Sequence, residues 1–199
     1  MSAALILAPQ NIARQNMLRA VGLEFEAIPA HLDEDSLTET AIEQNQSPRE
    51  IALMLAQEKA LAISKDNADA LIIGSDQILE CDGQMLYKAE SAQAALKKLQ
   101  FLSHKTHYLI SAVTVAKDGE ILWMHADSAA LTMKNLSDEY LQNYCDKAGE
   151  ALMRSVGAYE IESLGARLFE KVEGDFFTIQ GLPLLPLLAY LEAEQGLRI

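Results

Sequence analysis

The sequence predicts an α/β protein with a mixed, elongated sheet flanked by helices. Two short apolar runs, "ALILA" at 4–8 and "ALIIG" at 70–74, are typical of buried strands. Capped amphipathic segments lie between them, as expected for helices that separate parallel strands. A long β-rich pair at 106–133 surrounds the turn "KDGE", which indicates antiparallel pairing. Parallel and antiparallel strands together give a mixed sheet.

A helix is predicted directly after the first strand. It covers residues 11–22, with Asn11 as a plausible N-cap and Gly22 as its end. Its apolar face is formed by Ala13, Met17, Ala20 and Val21. Residues 24–39 follow, and we interpret them as an extended segment that runs into an acidic loop.

The strongest helix start in the chain is "SPRE" at 47–50. Its serine and glutamate form a capping box, and its proline occupies the first helical position, so this helix should reach about Lys65. The buried strand "ALIIG" comes next and is predicted to end at Asp76. Asp82-Gly83 is a hairpin-type turn.

The second half of the chain contains three further predicted helices and one further hairpin. Helices are expected at 91–103, at 137–145 with a serine cap, and in the apolar C-terminal stretch that begins "GLPLLPLLAYL" at 181, where Pro183 or Pro186 lies in the first turn. Residues 166–179 resemble a second hairpin.

Composition limits the class of function. Half of the 199 residues are apolar, and the net charge of -13 argues against binding a nucleic-acid backbone. Cys81 and Cys145 are the only cysteines, without C-x-x-C spacing, so neither a disulfide framework nor a zinc site is expected. We find no targeting segment and no apolar run of membrane-spanning length, so we expect a cytoplasmic protein.

The first candidate functional residue is Arg14, in the first turn of the helix at 11–22. A helix N-terminus attracts anions, and a cation there could meet a bound phosphate. The commoner alternative is a solvated arginine on an ordinary helix, which residue spacing alone favours.

The second candidate is Lys59 in "LAQEKA". Helical spacing places it on or beside the apolar stripe of its helix. Such a lysine usually extends its ammonium to the edge of the core, and spacing favours this interpretation. The alternative is a lysine that projects into a cleft and binds phosphate as a point charge.

The third candidate is the stretch "GSDQ". Ligands of open α/β sheets bind beyond the carboxyl ends of strands, where we place Asp76 and Gln77. Mg²⁺ needs one or two carboxylates plus phosphate oxygens, so Asp76 with Glu34 would suffice. Lys88 could return to the same cleft. The three candidate places together suggest a phosphate-plus-metal site.

A series of short motifs runs along nearly the whole chain: "LILA" at 5–8, "LDE" at 32–34, "LAQEKA" at 55–60, "IIGSDQ" at 72–77, "DG" at 82–83, Lys88, "TH" at 106–107 and "GLPL" at 181–184. In order and approximate spacing they resemble the motifs of the Maf-like proteins, a family of nucleoside triphosphate pyrophosphatases. The resemblance implies one Maf-like domain over 1–199, with two lobes around a cleft as in the Maf and ITPase folds. It also implies a small-molecule nucleotide as substrate, a divalent Mg²⁺ or Mn²⁺ cofactor, and a possible homodimer.

The resemblance also implies roles for individual residues. Asp76 matches the catalytic aspartate, as general base or metal ligand, and Glu34 looks like its partner acid and second metal ligand. Lys59 and Lys88 look like the catalytic lysines that meet the triphosphate. Gln77 and Glu162 look closest to the branch that acts on 7-methyl-GTP.

One family motif is altered in this sequence. The phosphate loop S-x-S-P-R-R is replaced by the residues at 9–14, so only Arg14 keeps its place. Asn11 can still cap the helix and Gln10 can still donate to an oxygen, so phosphate binding is expected to be weakened but not abolished. Three functions therefore stay open: a metal-dependent nucleotide pyrophosphatase, a nucleotide-binding protein or cell-division regulator without full catalysis, and a partner-binding protein without nucleotide affinity.

Overall fold

A computed structural model of the protein describes residues 4–8 and 11–196. Within them, a seven-stranded mixed sheet is flanked by helices, which confirms the predicted fold class. The strands are β1 (Leu5–Leu7), β2 (Glu26–Ala27), β3 (Leu71–Cys81), β4 (Gln84–Leu86), β5 (Thr106–Lys117), β6 (Glu120–Met133) and β7 (Phe169–Glu173). The α-helices are α1 (Ile12–Ala20), α2 (Glu34–Glu43), α3 (Pro48–Ser64), α4 (Ala92–Leu102), α5 (Asp138–Ala148), α6 (Ala151–Arg154), α7 (Phe176–Ile179) and α8 (Leu184–Glu194). A 3-10 helix covers Leu164–Leu168.

The strands lie in the order β2-β1-β3-β5-β6-β7, and β4 pairs with β3. β1 is parallel to both of its neighbours, whereas β3–β4 and β6–β7 are antiparallel. The predicted turns at Asp82-Gly83 and at "KDGE" are confirmed, because both Asp-Gly pairs have positive φ, as a type I′ hairpin turn requires.

The described residues form two compact units. Unit 1 contains the described residues up to Gln77, Ile110–Asp127, and the described residues from Phe176 onward. Unit 2 contains Ile78–Leu109 and Ser128–Asp175.

Unit 1 has a buried layer on each face of its strands. Alternate residues of a strand point to opposite faces. Leu5 and Leu7 pack with residues of α1 and α8, while Ile6 packs with residues of α3 such as Ala60. Helices on both faces explain why β1 and the first half of β3 are continuously apolar.

Unit 2 has a buried aromatic group around His107. Within unit 2, helix α4 contacts α5 and α6. His107 is wholly buried, its Nε2 lies 2.6 Å from the Tyr159 hydroxyl, and its ring centre is 5.8 Å from that of Phe169. Burial disfavours the charged imidazolium and lowers the pKa of His107 to about 4.

Two predictions about local structure were wrong. The expected acidic loop within 24–39 contains the start of α2, because the Asp33 side chain accepts a hydrogen bond from Ser36 N and so caps the helix, and acidic residues in a first turn are favoured by the helix dipole. The expected hairpin at 166–179 is absent from the described residues: β7 pairs with β6, opposite Ala130–Met133, and the chain then turns at Gly174 into α7.

No helix in the described ranges is long and apolar enough to cross a lipid bilayer.

The start of α3 agrees with its prediction, because Ser47 and Glu50 form the full capping box. The C-terminal helix is also confirmed, with Pro186 in its first turn.

Candidate active site

A lysine lies between two carboxylates in unit 1. The ammonium of Lys59, on α3, donates hydrogen bonds to Glu34 Oε2 at 2.8 Å and to Asp76 Oδ1 at 2.6 Å. We call these three residues the Lys59 cluster. The side chains of Lys59 and Asp76 are only 9% and 12% exposed, whereas that of Glu34 is 45% exposed. Solvent therefore reaches the cluster on the side of Glu34.

Three local features bring the cluster together. Glu34 is the first residue of α2, and its place is set by the Asp33 cap. Lys59 lies on the buried face of α3, which contacts α2. Asp76 lies on β3 two residues after Gly74, so both face the same side of the strand.

Gly74 allows α3 to approach β3 closely. A Cβ atom at this position would overlap the carbonyl oxygen of Ala56 and would lie 2.8 Å from the backbone nitrogen of Ala60. Because the helix backbone lies directly against the strand at Gly74, Lys59 on the next helical turn can reach Asp76 without leaving the interior.

The interpretation of Lys59 as a lysine that reaches toward solvent was wrong. Lys59 is 7% exposed overall, and its charge is balanced inside the protein by the two carboxylates. Helical spacing predicts the buried face correctly. The carboxylates that offset the cost of burying this charge, Glu34 and Asp76, lie 25 and 17 residues away in sequence. Spacing within one helix carries no information about them.

The strand that carries Asp76 does not end there. β3 continues to Cys81, and Asp76 lies within it, 8% exposed. The apolar run stops at Gly74 because the strand then carries polar side chains at Ser75, Asp76 and Gln77, not because the extended backbone ends. The prediction that Asp76 and Gln77 follow a strand end was therefore wrong.

Arg14 is buried, so the alternative of a solvated arginine is excluded. Its Nε donates to the carbonyl oxygen of Gly181 at 2.8 Å, and its Nη1 donates to that of Ser75 at 3.2 Å. Burial lowers the pKa of the guanidinium, an effect that the charges of Asp76 and Glu34 oppose. The predicted apolar face of α1 was partly right, because Met17 is buried and Val21 packs against the core. Ala20 is exposed, and Arg14 and Leu18 are buried in addition to Met17.

Gln77 donates within the protein. Its Nε2 lies 3.0 Å from Ser111 Oγ, 3.2 Å from the carbonyl oxygen of Thr178 and 3.0 Å from that of Ile179. Ser111 itself donates to Thr178 O at 2.7 Å. The amide nitrogen of Gln77 is therefore committed to Ser111 and to the last two residues of α7.

The predicted cap of α1 is confirmed, because Asn11 Oδ1 accepts a hydrogen bond from Arg14 N at 3.2 Å. Pro9 and Gln10, which replace part of the phosphate loop, lie outside the described residues.

Lys88 and Glu162 both belong to unit 2. Lys88 is exposed after β4, and Glu162 is exposed in a turn before the 3-10 helix. Lys98 donates to the carbonyl oxygen of Tyr87, next to Lys88, and to that of Val156 at 2.9 Å. Burial lowers the pKa of Lys98 to about 8. Lys98 therefore holds the loop from which Lys88 projects.

The acids of the Lys59 cluster suit a hard divalent cation. In the part of the chain that the structure describes, no three His, Cys, Asp or Glu side chains are grouped as a metal-binding set. Mg²⁺ needs only one or two carboxylates when substrate phosphates and water complete its shell. Glu34 and Asp76 each use one carboxylate oxygen on Lys59, which leaves the other oxygen of each for a cation.

Residue-level reasoning missed Gly74, Ser111 and Gly181. A glycine inside a strand pattern indicates a bulge or a close backbone approach, so Gly74 could have been found. Gly181 belongs to the "GLPL" motif, but its contact with Arg14 depends on a separation of 167 residues. Nothing in the pattern around Ser111 distinguishes it from other small residues of β5.

Comparisons with known proteins match almost the whole chain. A family model described as "Maf-like protein" matches residues 4–194. The chain is similar to a nucleoside triphosphate pyrophosphatase of Paramagnetospirillum magneticum, with 44% identity over 191 residues that cover 96% of this chain and 98% of that protein. It is also similar to a 7-methyl-GTP pyrophosphatase of Brucella abortus, with 40% identity over 195 residues and 98% of both chains covered. A nucleoside triphosphate pyrophosphatase of Bradyrhizobium diazoefficiens is 46% identical over 191 residues, which cover 96% of this chain and 94% of that protein.

Proposed function

The chain belongs to the Maf-like protein family, and from this premise we propose that it is a nucleoside triphosphate pyrophosphatase. The reaction is hydrolysis between the α and β phosphates, which yields a nucleoside monophosphate and pyrophosphate. Relatives with this activity in their names align with this chain over nearly its full length.

The observation that carries the proposal is the Lys59 cluster. A buried cation between two acids, one of them nearly half exposed, offers both signs of charge at one place. Phosphoryl chemistry needs this combination, because the phosphate oxygens need positive charge and the attacking water needs a proton acceptor.

We propose that Asp76 and Glu34 hold a divalent cation, Mg²⁺ or Mn²⁺, through the carboxylate oxygens that Lys59 does not bind. When bound, the cation would neutralise phosphate charge and lower the pKa of a coordinated water. The fit rests on the donor set, since two carboxylates plus phosphate oxygens are the ligands such a cation prefers.

The residues of this chain would share the reaction as follows. The Asp76 carboxylate accepts a proton from water, whose oxygen forms a bond to the α phosphorus. The bond from the α phosphorus to the αβ-bridging oxygen breaks, and pyrophosphate leaves with that electron pair. Lys59 fixes the orientation of Asp76 and provides positive charge for the phosphates. The role of Lys88 in meeting the triphosphate stays a prediction from the family resemblance.

Which nucleobase the substrate carries is a more specific proposal. We propose that 7-methyl-GTP is among the substrates, with Gln77 and Glu162 as the residues that favour it; one similar relative carries that substrate in its name. The phosphate-binding role of Asn11, the cytoplasmic location, the homodimer and the single Maf-like domain over 1–199 stay predictions.

The test is pyrophosphate release by the wild type and by Asp76→Asn, with Mg²⁺ or Mn²⁺, across ordinary and 7-methylated nucleoside triphosphates. Loss of a general base should lower kcat by about a hundredfold or more. Asp35→Asn, an exposed aspartate of α2, is the matched control and should keep wild-type turnover.

Two outcomes would count against the proposal. Equal turnover by the wild type and Asp76→Asn would remove Asp76 from the chemistry. If the wild type released no pyrophosphate but a triphosphate raised its melting temperature, the protein would be a nucleotide binder without catalysis, in line with its altered phosphate loop.

A further inference from the structure

The segment that runs from the end of α7 to Gly181 is held in place by its backbone carbonyls. We call residues 178–181, which are the last two residues of α7 and the two residues after it, the α7–α8 loop. Its first carbonyl, that of Thr178, accepts from Ser111 Oγ at 2.7 Å and from Gln77 Nε2 at 3.2 Å. The next carbonyl, that of Ile179, accepts from the same Gln77 nitrogen at 3.0 Å. Side chains of β3 and β5 therefore fix the start of the loop.

Arg14 fixes the end of the loop from a third element. Its Nε donates to Gly181 O at 2.8 Å, and its Nη1 donates to Ser75 O at 3.2 Å, so one guanidinium joins the loop to β3. Gly181 has a φ of +100°, and a Cβ there would lie 3.1 Å from Arg14 Nε. The backbone conformation at this position favours glycine, and a side chain there would also push the Arg14 guanidinium away from its contacts.

Asp76 lies between the two strand residues that make these contacts. Ser75 is held through its carbonyl oxygen by Arg14, and Gln77 is held through its side chain by the α7–α8 loop. Because neighbouring side chains of a strand point to opposite faces, contacts made by Ser75 and Gln77 leave Asp76 directed at Lys59. The orientation of the carboxylate thus depends on the loop.

The environment of Arg14 is unlike that of a phosphate ligand. An arginine that binds phosphate presents a pair of neighbouring N–H groups to the ligand. Here each of the two neighbouring pairs, Nε with Nη2 and Nη1 with Nη2, includes a nitrogen that already donates to a protein carbonyl, and the residue is 7% exposed.

We propose that Arg14 is a positioning residue, which together with Gln77 locks the α7–α8 loop onto β3 and thereby fixes Asp76, and that it is not a ligand of the substrate phosphates. The expected loss of kcat rests on the proposed pyrophosphatase activity. The structural part of the proposal, that Arg14 and Gln77 hold the α7–α8 loop on β3, does not depend on that activity.

The first experiment separates kcat from KM in Arg14→Met and Arg14→Lys. A positioning role predicts that both variants lose kcat, by about tenfold to a hundredfold for a slightly misplaced carboxylate, with KM within about twofold of wild type. Lysine cannot join two carbonyls as the guanidinium does, so the retained charge should not rescue kcat. A raised KM with kcat preserved, and partial rescue by lysine, would instead show a phosphate contact and overturn the proposal. Arg19→Met, on the exposed side of the same helix, should behave as wild type.

A second variant leaves Arg14 in the chain and disturbs its contact from the side of the loop, where the added Cβ also strains the backbone. Gly181→Ala places a methyl group 3.1 Å from Nε and 3.2 Å from Nη2 of Arg14. We expect the same loss of kcat at unchanged KM as in Arg14→Met. Wild-type kcat in Gly181→Ala would contradict the proposal.

Hydrogen–deuterium exchange tests the structural part of the proposal, the anchoring of the α7–α8 loop, and needs no catalytic activity. In Arg14→Met and Gln77→Leu, amides of residues 178–182 and of residues 75–77 should both exchange faster than in the wild type. Faster exchange confined to α1, or no change, would overturn the proposal even if the wild type proved inactive. An inactive wild type with the expected exchange would refute the proposed activity alone.

Discussion

At the scale of single residues, the chain buries charge where it has opposite charge to meet it. Removing an ion from water costs several kcal/mol, and the cost is recovered only by close partners with good geometry. Lys59 has two such partners at 2.8 and 2.6 Å. Each charge of the Lys59 cluster is thus stabilised by its opposite, and loss of the Lys59 ammonium leaves two carboxylates facing each other.

Lys59→Met should destabilise the fold as well as abolish turnover. Two carboxylates without their cation repel each other, and breaking a buried pair by removing one partner costs about 3–5 kcal/mol of the free energy of unfolding. Urea denaturation at pH 7, beside a pyrophosphate-release assay, measures both effects. Lys65→Met, at the exposed C-cap of the same helix, is the control. A loss below about 1 kcal/mol would show that the cluster is not a structural unit.

Sequence reasoning at this scale predicts positions better than partners. The stripe of α3 predicts that Lys59 lies at the core, but not that it binds Glu34 and Asp76. The candidate places were grouped into one phosphate-plus-metal site, and the family resemblance then gave each of these three residues a role, but neither step predicted their direct contacts. For Arg14, the same spacing favoured solvent, because the carbonyls that it binds lie 61 and 167 residues away.

At the scale of elements, the decisive contact is that of α3 with β3. Ala52, Ala56 and Ala60 form a small-residue face on the helix, wholly buried, and Gly74 lets the strand meet this face backbone to backbone. The distance between helix and strand is therefore set by the absence of one Cβ. Lys59 and Asp76 meet because of that distance.

Gly74→Ala should separate helix and strand. The added methyl meets backbone atoms of Ala56 and Ala60, which cannot rotate away, so overpacking should cost about 3 kcal/mol and lower kcat as Lys59 moves from Asp76. Thermal unfolding and turnover are the measurements. Gly119→Ala controls for the glycine-to-alanine change: it sits in open space at a φ of +80°, so it should cost about 1–2 kcal/mol and leave turnover intact. Unchanged stability in Gly74→Ala would show that α3 accommodates the methyl.

Helix starts and turns that nearby residues determine were predicted correctly. Strands whose extent depends on pairing with distant parts of the chain were not. The capping box at Ser47 and the Asp-Gly turns are local, and the structure has them. The full length of β3 depends on neighbouring strands, which its polar second half does not reveal. Residues 169–173 pair with β6, about 40 residues earlier, and no pattern within 166–179 indicates this.

At the scale of the whole molecule, stability should depend on pH through His107. Its pKa is lowered to about 4 in the folded state, against 6.5 in an unfolded chain. Between these values the unfolded state binds the additional proton, so stability is fully present above pH 6.5 and falls as pH drops toward 4. The contribution lost by pH 5 is about 2 kcal/mol.

His107→Gln should flatten this pH dependence. The variant starts less stable at pH 7, because the Tyr159 hydroxyl loses its partner, but it should lose about 2 kcal/mol less than the wild type between pH 7 and pH 5. Urea denaturation at both pH values checks this. The exposed His31→Gln should keep the wild-type difference. Equal slopes for His107→Gln and wild type would show that His107 does not carry the effect.

The contact between Arg14 and Gly181 has a consequence for biosynthesis. A chain emerging from the ribosome grows by about 5–20 residues per second, with its N-terminal part free to fold first. α1, α3 and β3 are all synthesised before the α7–α8 loop, and the carbonyl that Arg14 binds is supplied only at residue 181, 167 residues later. A chain that has not yet reached residue 181 lacks the carbonyl that holds Arg14, so Arg14 cannot yet fix the position of Asp76. With Arg14 as a positioning residue, full catalytic competence begins only after the α7–α8 loop has been synthesised and has packed against β3.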